Sequence, residues 1–221
     1  MVAVQARNFR ITISAVAVAI VLAGGGLLAI SMQHDSKAVL LPSHGVTMFP
    51  DPKPLTAFSL VDHNNAVFDL ASLNGKWSFV FLGFIHCPDV CPTTLAVLAR
   101  VRGIILTNPV GPEDVQFIFV SVDPTRDSAD KLRQYVNYFE PRFLGVTGSD
   151  AQIRKLTDQL GAKYQVAITP GMEDYPVFHT TAVFLLDPRT RYHALFTPPL
   201  DAEAISRRFM VVRQLQSGST P

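Results

Sequence analysis

An α/β domain built on a central sheet, preceded by one membrane-spanning helix, is the architecture that this 221-residue sequence predicts. Three observations carry it. Ile11 to Ile30 is apolar and free of charge. Trp77–Ile85 is a continuous apolar run, the pattern of a strand buried on both faces, and Val115–Val122 reads as a second buried strand. Helical patterns alternate with those runs, and that alternation builds a sheet covered by helices.

Composition narrows the function classes. The chain is 48% hydrophobic and 17% charged, which supplies a core and excludes a disordered chain. A net charge of +1 gives no electrostatic footprint for nucleic acid, so no nucleic-acid partner is expected. There are 2 cysteines, Cys87 and Cys91. That excludes a disulfide-stapled scaffold and a zinc site made from two CxxC pairs.

The N-terminal run reads ITISAVAVAIVLAGGGLLAI. At a rise of about 1.5 Å per residue it matches a hydrocarbon core of about 30 Å. Arg7 and Arg10 precede it, and the first acidic residue is Asp35. Positive flanks stay cytoplasmic, so 1–10 is read as cytoplasmic, 11–30 as an anchor and the rest as exported. A cleaved signal peptide is the competing reading, but the run exceeds the usual apolar length and no A-x-A site precedes Ser31. The short N-terminus lacks an Arg-rich, Ser-rich transit segment, which favours a bacterial inner membrane with the C-terminal domain in the periplasm.

Residues 31–54 contain Pro42, Pro50, Pro52 and Pro54 and are read as a tether with little regular structure. The globular domain spans 55–215. Phe58–Val61 and Ala66–Leu70 flank Asp62-His63-Asn64-Asn65 as a hairpin. After the Trp77–Ile85 strand, Pro92 to Leu106 reads as a helix with Pro92 in its first turn. After the Val115–Val122 strand, Ser128–Phe139 is helical until Pro141, Phe143–Thr147 is a short strand, and Ala151–Leu160 is a helix ended by Gly161. Thr181–Leu186 and Tyr192–Thr197 form a closing hairpin, Asp201 caps a last helix to about Leu215, and 216–221 is a frayed tail. Buried strands joined through helices should be parallel and right-handed. With the closing hairpin and helix, the order is thioredoxin-like: a mixed central sheet flanked by helices.

The chemistry concentrates where the first buried strand ends, at Gly83-Phe84-Ile85-His86-Cys87-Pro88-Asp89-Val90-Cys91-Pro92. Ligands usually bind at that end of an α/β sheet. Both sulfurs are read as lying just before a helix N-terminus, whose partial positive charge favours thiolate. Thiolates serve disulfide exchange and soft-metal binding. Redox thioredoxins use CxxC, whereas this is CxxxC, a spacing that lets two sulfurs converge on one ion. A disulfide also suits an exported protein.

Gly83–Leu95 (GFIHCPDVCPTTL) resembles the copper-site motif of the Sco/SenC family of cytochrome oxidase assembly proteins. Ser121–Asp127 (SVDPTRD) and His179–Pro188 (HTTAVFLLDP) resemble two further family elements, in the family's order. One departure is Ile85, where many members carry Thr. The resemblance implies that Cys87, Cys91 and His179 bind copper, as Cu(I) and also as Cu(II). It implies as partners the oxidase subunit carrying the CuA centre, other copper chaperones and thiol reductases. The chemistry agrees, since Cu(I) prefers soft sulfur and an imidazole completes a trigonal site. Structural zinc would want four ligands, and three candidates are visible.

His86 is read as a non-ligand, because neighbouring strand-end side chains point to opposite sides. His34, His44, His63 and His193 are read as solvated. Asp123-Pro124 should turn the chain, and Asp127 or Ser128 should cap the next helix, with an Arg126–Asp pair as an alternative role at the site's edge. Asp89 is read as a solvated loop acid.

The leading function is a membrane-anchored metallochaperone that assists assembly of the CuA centre, a binding protein rather than an enzyme. The alternative is a membrane-tethered thiol-disulfide oxidoreductase acting on the oxidase subunit's cysteines through a Cys87–Cys91 redox disulfide. Thioredoxin-like oxidoreductases place a cis-Pro before the strand facing their cysteines. Thr181 stands near that position here, with His179 beside it. A peroxidase is disfavoured, since no hydroxyl residue stands three positions before Cys87.

Overall fold

The computed structural model describes residues 45–107, 114–168, 171 and 174–217. The expected cytoplasmic segment, the anchor over 11–30 and most of the tether and tail lie outside the described residues. The element order is β1 (Val46–Pro54), β2 (Leu60–Asp62), β3 (Val67–Phe68), α1 (Leu70–Leu73), β4 (Trp77–Gly83) and α2 (Val90–Thr107). Then come β5 (Val115–Ser121), α3 (Ala129–Phe139), β6 (Leu144–Thr147), α4 (Asp150–Gln159), β7 (Tyr164–Val166), β8 (Val177–His179), β9 (Val183–Leu186), β10 (Arg191–Phe196) and α5 (Ala202–Ser217).

Eight strands make one mixed sheet in the order β1-β10-β9-β4-β5-β6-β2-β3. β4, β5 and β6 are parallel neighbours, joined through α2 and α3. β9 runs antiparallel to β4, and β10 antiparallel to β9, so the closing hairpin is where the sequence places it. All seven residues of β4 are buried, as its unbroken apolar run requires. Phe79 of β4 stacks on Phe117 of β5 with ring centroids 4.8 Å apart and meets Phe209 of α5 edge-on at 5.2 Å. Each such ring contributes about 1.5–3 kcal/mol by leaving water.

α2 is long and apolar enough to cross a membrane by composition. Here it is a core helix: Cys91, Leu95, Leu98, Val101 and Ile105 are buried, while Arg100 and Arg102 pair with Glu203 and Glu140 at 2.8 and 3.5 Å. α3 starts at a Ser128 cap, and Gly161, at φ +67°, follows α4. At α5 the Ala204 N–H donates to Asp201 Oδ1 at 2.7 Å. Asp201→Ala should therefore cost about 1 kcal/mol, read as a lower urea midpoint with an unchanged slope.

Two segments differ from the expectation. Val46–Pro54, read as tether, is a strand paired antiparallel with β10. Its prolines are tolerated because β1 is the sheet's edge strand and its register breaks between Met48 and Lys53. β7 and β8 form a separate two-stranded hairpin, with Tyr164 opposite His179. Neither was read as a strand, since three residues are too few to show a period.

The registers also fix a row across the sheet. Val46 lies opposite Phe196, Phe196 opposite Val183, and Val183 opposite Phe81. The chain thus enters the sheet at the rim where β4 runs into the cysteine loop.

Candidate metal centre

β4 ends at Gly83, and a short loop carries Cys87 to the start of α2. The sequence suggests a helix beginning at Pro92, but α2 begins at Val90, so Cys91 sits inside its first turn. Asp89 starts the helix: its carbonyl and Oδ1 accept from the Thr93 N–H and hydroxyl at 3.1 and 3.4 Å. The two cysteines therefore differ. Cys87 is half-buried and its Sγ accepts the Cys91 N–H at 3.4 Å, the donor that a helix N-terminus offers. Cys91 is fully buried, and burial pushes its thiol pKa well up, against a backbone hydrogen bond at Phe84. The expectation of two helix-favoured thiolates is corrected for Cys91, because desolvation outweighs the helix end.

Gly83 is what lets Cys91 come so close. A Cβ at position 83 would lie 2.5 Å from Phe119 Cε2 and 2.7 Å from Cys91 Sγ. No periodicity could have singled out this glycine, because the clash is with residues 8 and 36 positions away.

His179 comes from the far side of the sequence. It ends β8, where Phe178 points outward and His179 turns inward to lie edge-on to Phe81 and Phe84, both at 6.0 Å. Its Nδ1 lies 3.0 Å from the Thr180 carbonyl. A carbonyl only accepts, so the proton is on Nδ1 and Nε2 keeps its lone pair. Nε2 lies 3.5 Å from Cys91 Sγ. Burial lowers the His179 pKa, which holds the imidazole neutral near pH 7. Thr180 is itself pinned to the residue before β7, its N–H donating to the Lys163 carbonyl at 2.9 Å.

Cys87 Sγ, Cys91 Sγ and a His179 ring nitrogen lie within 4.8 Å of one another. Among the described residues this is the one such group of metal-ligating side chains. Metal–donor bonds of about 2.0–2.3 Å suit a cluster of this size, and the neutral imidazole with its outer nitrogen held by a carbonyl is the form in which histidine binds metal. His86 stands outside the group, with its Nδ1 3.7 Å from Asp127 Oδ1.

The SVDPTRD segment does more than turn the chain. Asp127 is buried, and its Oδ2 accepts from the Ser121 hydroxyl at 2.6 Å and the Ile85 N–H at 3.0 Å, tying the cysteine loop to β5. Ser128, not Asp127, caps α3. Arg126 donates to Asp123 Oδ2, and Tyr175 donates to Asp123 Oδ1 at 2.9 Å. The Arg126 guanidinium also lies 3.8 Å from the Tyr175 ring centroid. Together they clasp the segment leading into β8 to the β5–α3 loop. The Arg–Asp pair was legible in the sequence, but Tyr175 was not.

The other histidines divide. His63 is buried and its Nδ1 accepts the Gly145 N–H at 3.1 Å; His193 is buried edge-on to Trp77. Both correct the expectation of solvated rings, and burial lowers both pKa values. His34 and His44 lie outside the described residues.

Comparison with known proteins gives a consistent result. A Stutzerimonas stutzeri protein described by its name as copper-binding is 32% identical over 177 residues, covering 80% of this chain and 85% of its own. The structure of Arabidopsis thaliana ScoI with copper bound is 30% identical, with a TM-score of 0.65, covering 73% of this chain and 98% of that one. The apo Sco1 structure from Thermus thermophilus is 36% identical, also with a TM-score of 0.65, covering 81% and 98%. The SCO1/SenC family model matches residues 50–212, a span that takes in the cysteine loop, the SVDPTRD segment and His179. With that match over most of its length and a thioredoxin-like fold to hold it, the chain belongs to the SCO1/SenC family.

Proposed function

We propose that the protein binds one copper ion, as Cu(I), through Cys87 Sγ, Cys91 Sγ and His179 Nε2, and hands it on as cargo. The observation that carries this is the convergence of two sulfurs and a lone-pair imidazole nitrogen within 4.8 Å. Two thiolates and a neutral imidazole are soft donors suited to Cu(I), and with the ion they sum to one negative charge. The same residues would also take Cu(II). The copper-bound structure of Arabidopsis thaliana ScoI supports the choice of metal. The half-exposed Cys87 gives a partner's thiols a way to the ion, while burial of Cys91 and the Phe81 and Phe84 rings keep water from the other side.

In this reading the receiver is the cytochrome c oxidase subunit that carries CuA. The chain is anchored in a bacterial inner membrane by residues 11–30, with the domain in the periplasm. A second reading, thiol-disulfide exchange, has its own observation: Cys87 is accessible, Cys91 is buried behind it, and the Cys91 N–H already points at the Cys87 sulfur. Closing the disulfide would release two electrons and two protons to a partner's disulfide.

Metal analysis of the full chain, purified reduced and without oxygen in detergent, tests the first reading. One copper per chain is expected, and oxidation of Cys87 and Cys91 to a disulfide should remove it. Because burial keeps Cys91 a thiol, binding must displace its proton, so the affinity should rise with pH. Equal copper retention by the disulfide form would place the metal elsewhere.

A further inference from the structure

His179 reaches the two sulfurs from outside the main sheet. Both cysteines follow β4, whereas His179 ends β8, which belongs to the separate β7–β8 hairpin. Among the described residues no strand pairing joins that hairpin to the eight-stranded sheet. The sheet's register therefore does not by itself set the distance from imidazole to thiols. Past His179 the chain is fixed again only at Val183, opposite Phe81. Side chains tie the hairpin down on both arms. On the β7 arm the Tyr164 hydroxyl donates to Asp150 Oδ1 of α4 at 2.7 Å. On the β8 arm the tie is Arg126. Its Nη2 donates to the Tyr175 carbonyl at 3.2 Å, its guanidinium covers the Tyr175 ring at 3.8 Å, and its Nη1 faces the exposed Asp174 at 3.8 Å. Its Nε donates to buried Asp123, which also accepts the Tyr175 hydroxyl. The same guanidinium lies 5.8 Å from the centroid of Phe84, the ring that meets His179 edge-on.

One side chain thus touches both the arm that carries His179 and the loop that carries Cys87. A planar fork that bonds a carboxylate and a carbonyl while lying on a ring is within reach of a guanidinium and not of an ammonium. The sulfurs have supports of their own: Asp127 accepts the Ile85 N–H, and Cys91 sits in the first turn of α2. What Arg126 adds is the place of the imidazole relative to them. We propose that Arg126 is a positioning residue for copper binding, holding the β7–β8 hairpin against the cysteine loop so that His179 Nε2 stands ready beside the sulfurs. This rests on the copper reading above. A ligand whose arm is in place only part of the time binds more weakly in proportion to that fraction.

Arg126→Lys in the full chain tests this, since lysine keeps the charge beside Asp123 but has no fork for the Tyr175 carbonyl and no plane to lay on its ring. Cu(I) affinity is measured by competition with a chromophoric chelator for wild type, Arg126→Lys, His179→Ala and the double variant. With His179 present, Arg126→Lys should weaken binding about tenfold, as changes behind a ligand do. In the His179→Ala background it should cause no further loss, because the positioned group is gone. Amide hydrogen exchange without metal gives a second readout. The Ala167 and Thr180 N–H groups, which donate to the Pro176 and Lys163 carbonyls, should exchange faster in Arg126→Lys. The Val122 N–H, bonded to the Gly83 carbonyl at the end of β4, should not. Equal losses in both backgrounds, no loss in either, or unchanged exchange at Ala167 and Thr180 would overturn the proposal. If Arg126→Lys fails to fold, Tyr175→Phe, which removes one hydroxyl from the clasp, takes its place in the same cycle. It should show a smaller loss that again vanishes without His179, and a loss independent of His179 would overturn the proposal. A wild-type chain that binds no copper would instead overturn the copper reading, and this proposal with it.

Discussion

His179→Ala is expected to weaken Cu(I) binding at least about a hundredfold while leaving the Cys87–Cys91 pair able to oxidise and reduce as before. Changes behind a ligand already cost ten- to a hundredfold, and here the ligand itself is lost. The substitution leaves both sulfurs, the Cys91 N–H at Cys87 Sγ and the first turn of α2 in place. Thiol exchange needs only those. His179 contributes to the fold through edge contacts at 6.0 Å with Phe81 and Phe84, a small term beside the buried β4 core. The two readings therefore part at this residue. If copper delivery is the function, the variant should fail to support oxidase assembly with a wild-type disulfide potential. A variant that still assembles the oxidase at low copper would shift the assignment to thiol exchange. Cys87→Ser cannot separate them, because it disables both.

Gly83→Ala should destabilise the domain by about 1–3 kcal/mol and weaken copper binding together. One methyl group is added, but at 2.5 Å from a Phe119 ring carbon and 2.7 Å from Cys91 Sγ something must move. Phe119 is fully buried between Phe81 and Tyr135, so the ring has no free space. Cys91 is held in a helix. Displacing either disturbs the donor triangle. Gly103→Ala is the control: it lies on the exposed side of α2, and its Cβ would meet nothing within 4 Å. There the same change should stabilise by about 0.5–1 kcal/mol, since glycine is the poorer helix former. Urea unfolding of the two variants checks both signs. Equal effects would mean that helix or strand propensity, not the crowding at Gly83, sets the outcome.

The contrast between these residues shows what the sequence could convey. β4 and β5 were legible because their dense apolar runs, with seven buried residues in a row in β4 and five in β5, suit strands covered on both faces, and α3 and α5 because their caps stand in the right places. Cys87, Cys91 and His179 stood out by residue type and by resemblance to family motifs. That they meet could not be read from spacing, since Cys91 and His179 are 88 positions apart. The roles of Gly83, Asp127 and Tyr175 escaped for the same reason: each acts through a partner brought near only by the fold. His63 and His193 were misread because imidazole is equally at home in water and in a core with one hydrogen bond. β1 was hidden by prolines that an edge strand tolerates, and β7 and β8 by their brevity.

The row that joins Val46 to Phe81 has a mechanical consequence. Any tension that reaches the domain through residue 45 is applied at the rim of the thiols, yet its first bearing is the β1–β10 ladder. Between that ladder and β4 lie β10 and β9, held by antiparallel hydrogen bonds on both sides of β9. The register break between Met48 and Lys53 divides the β1 ladder into two short sections, so the pairs at Val46–Met48 meet such a pull before those at Lys53 and Pro54. A pull on residue 45 thus bears first on a ladder three strands away from β4.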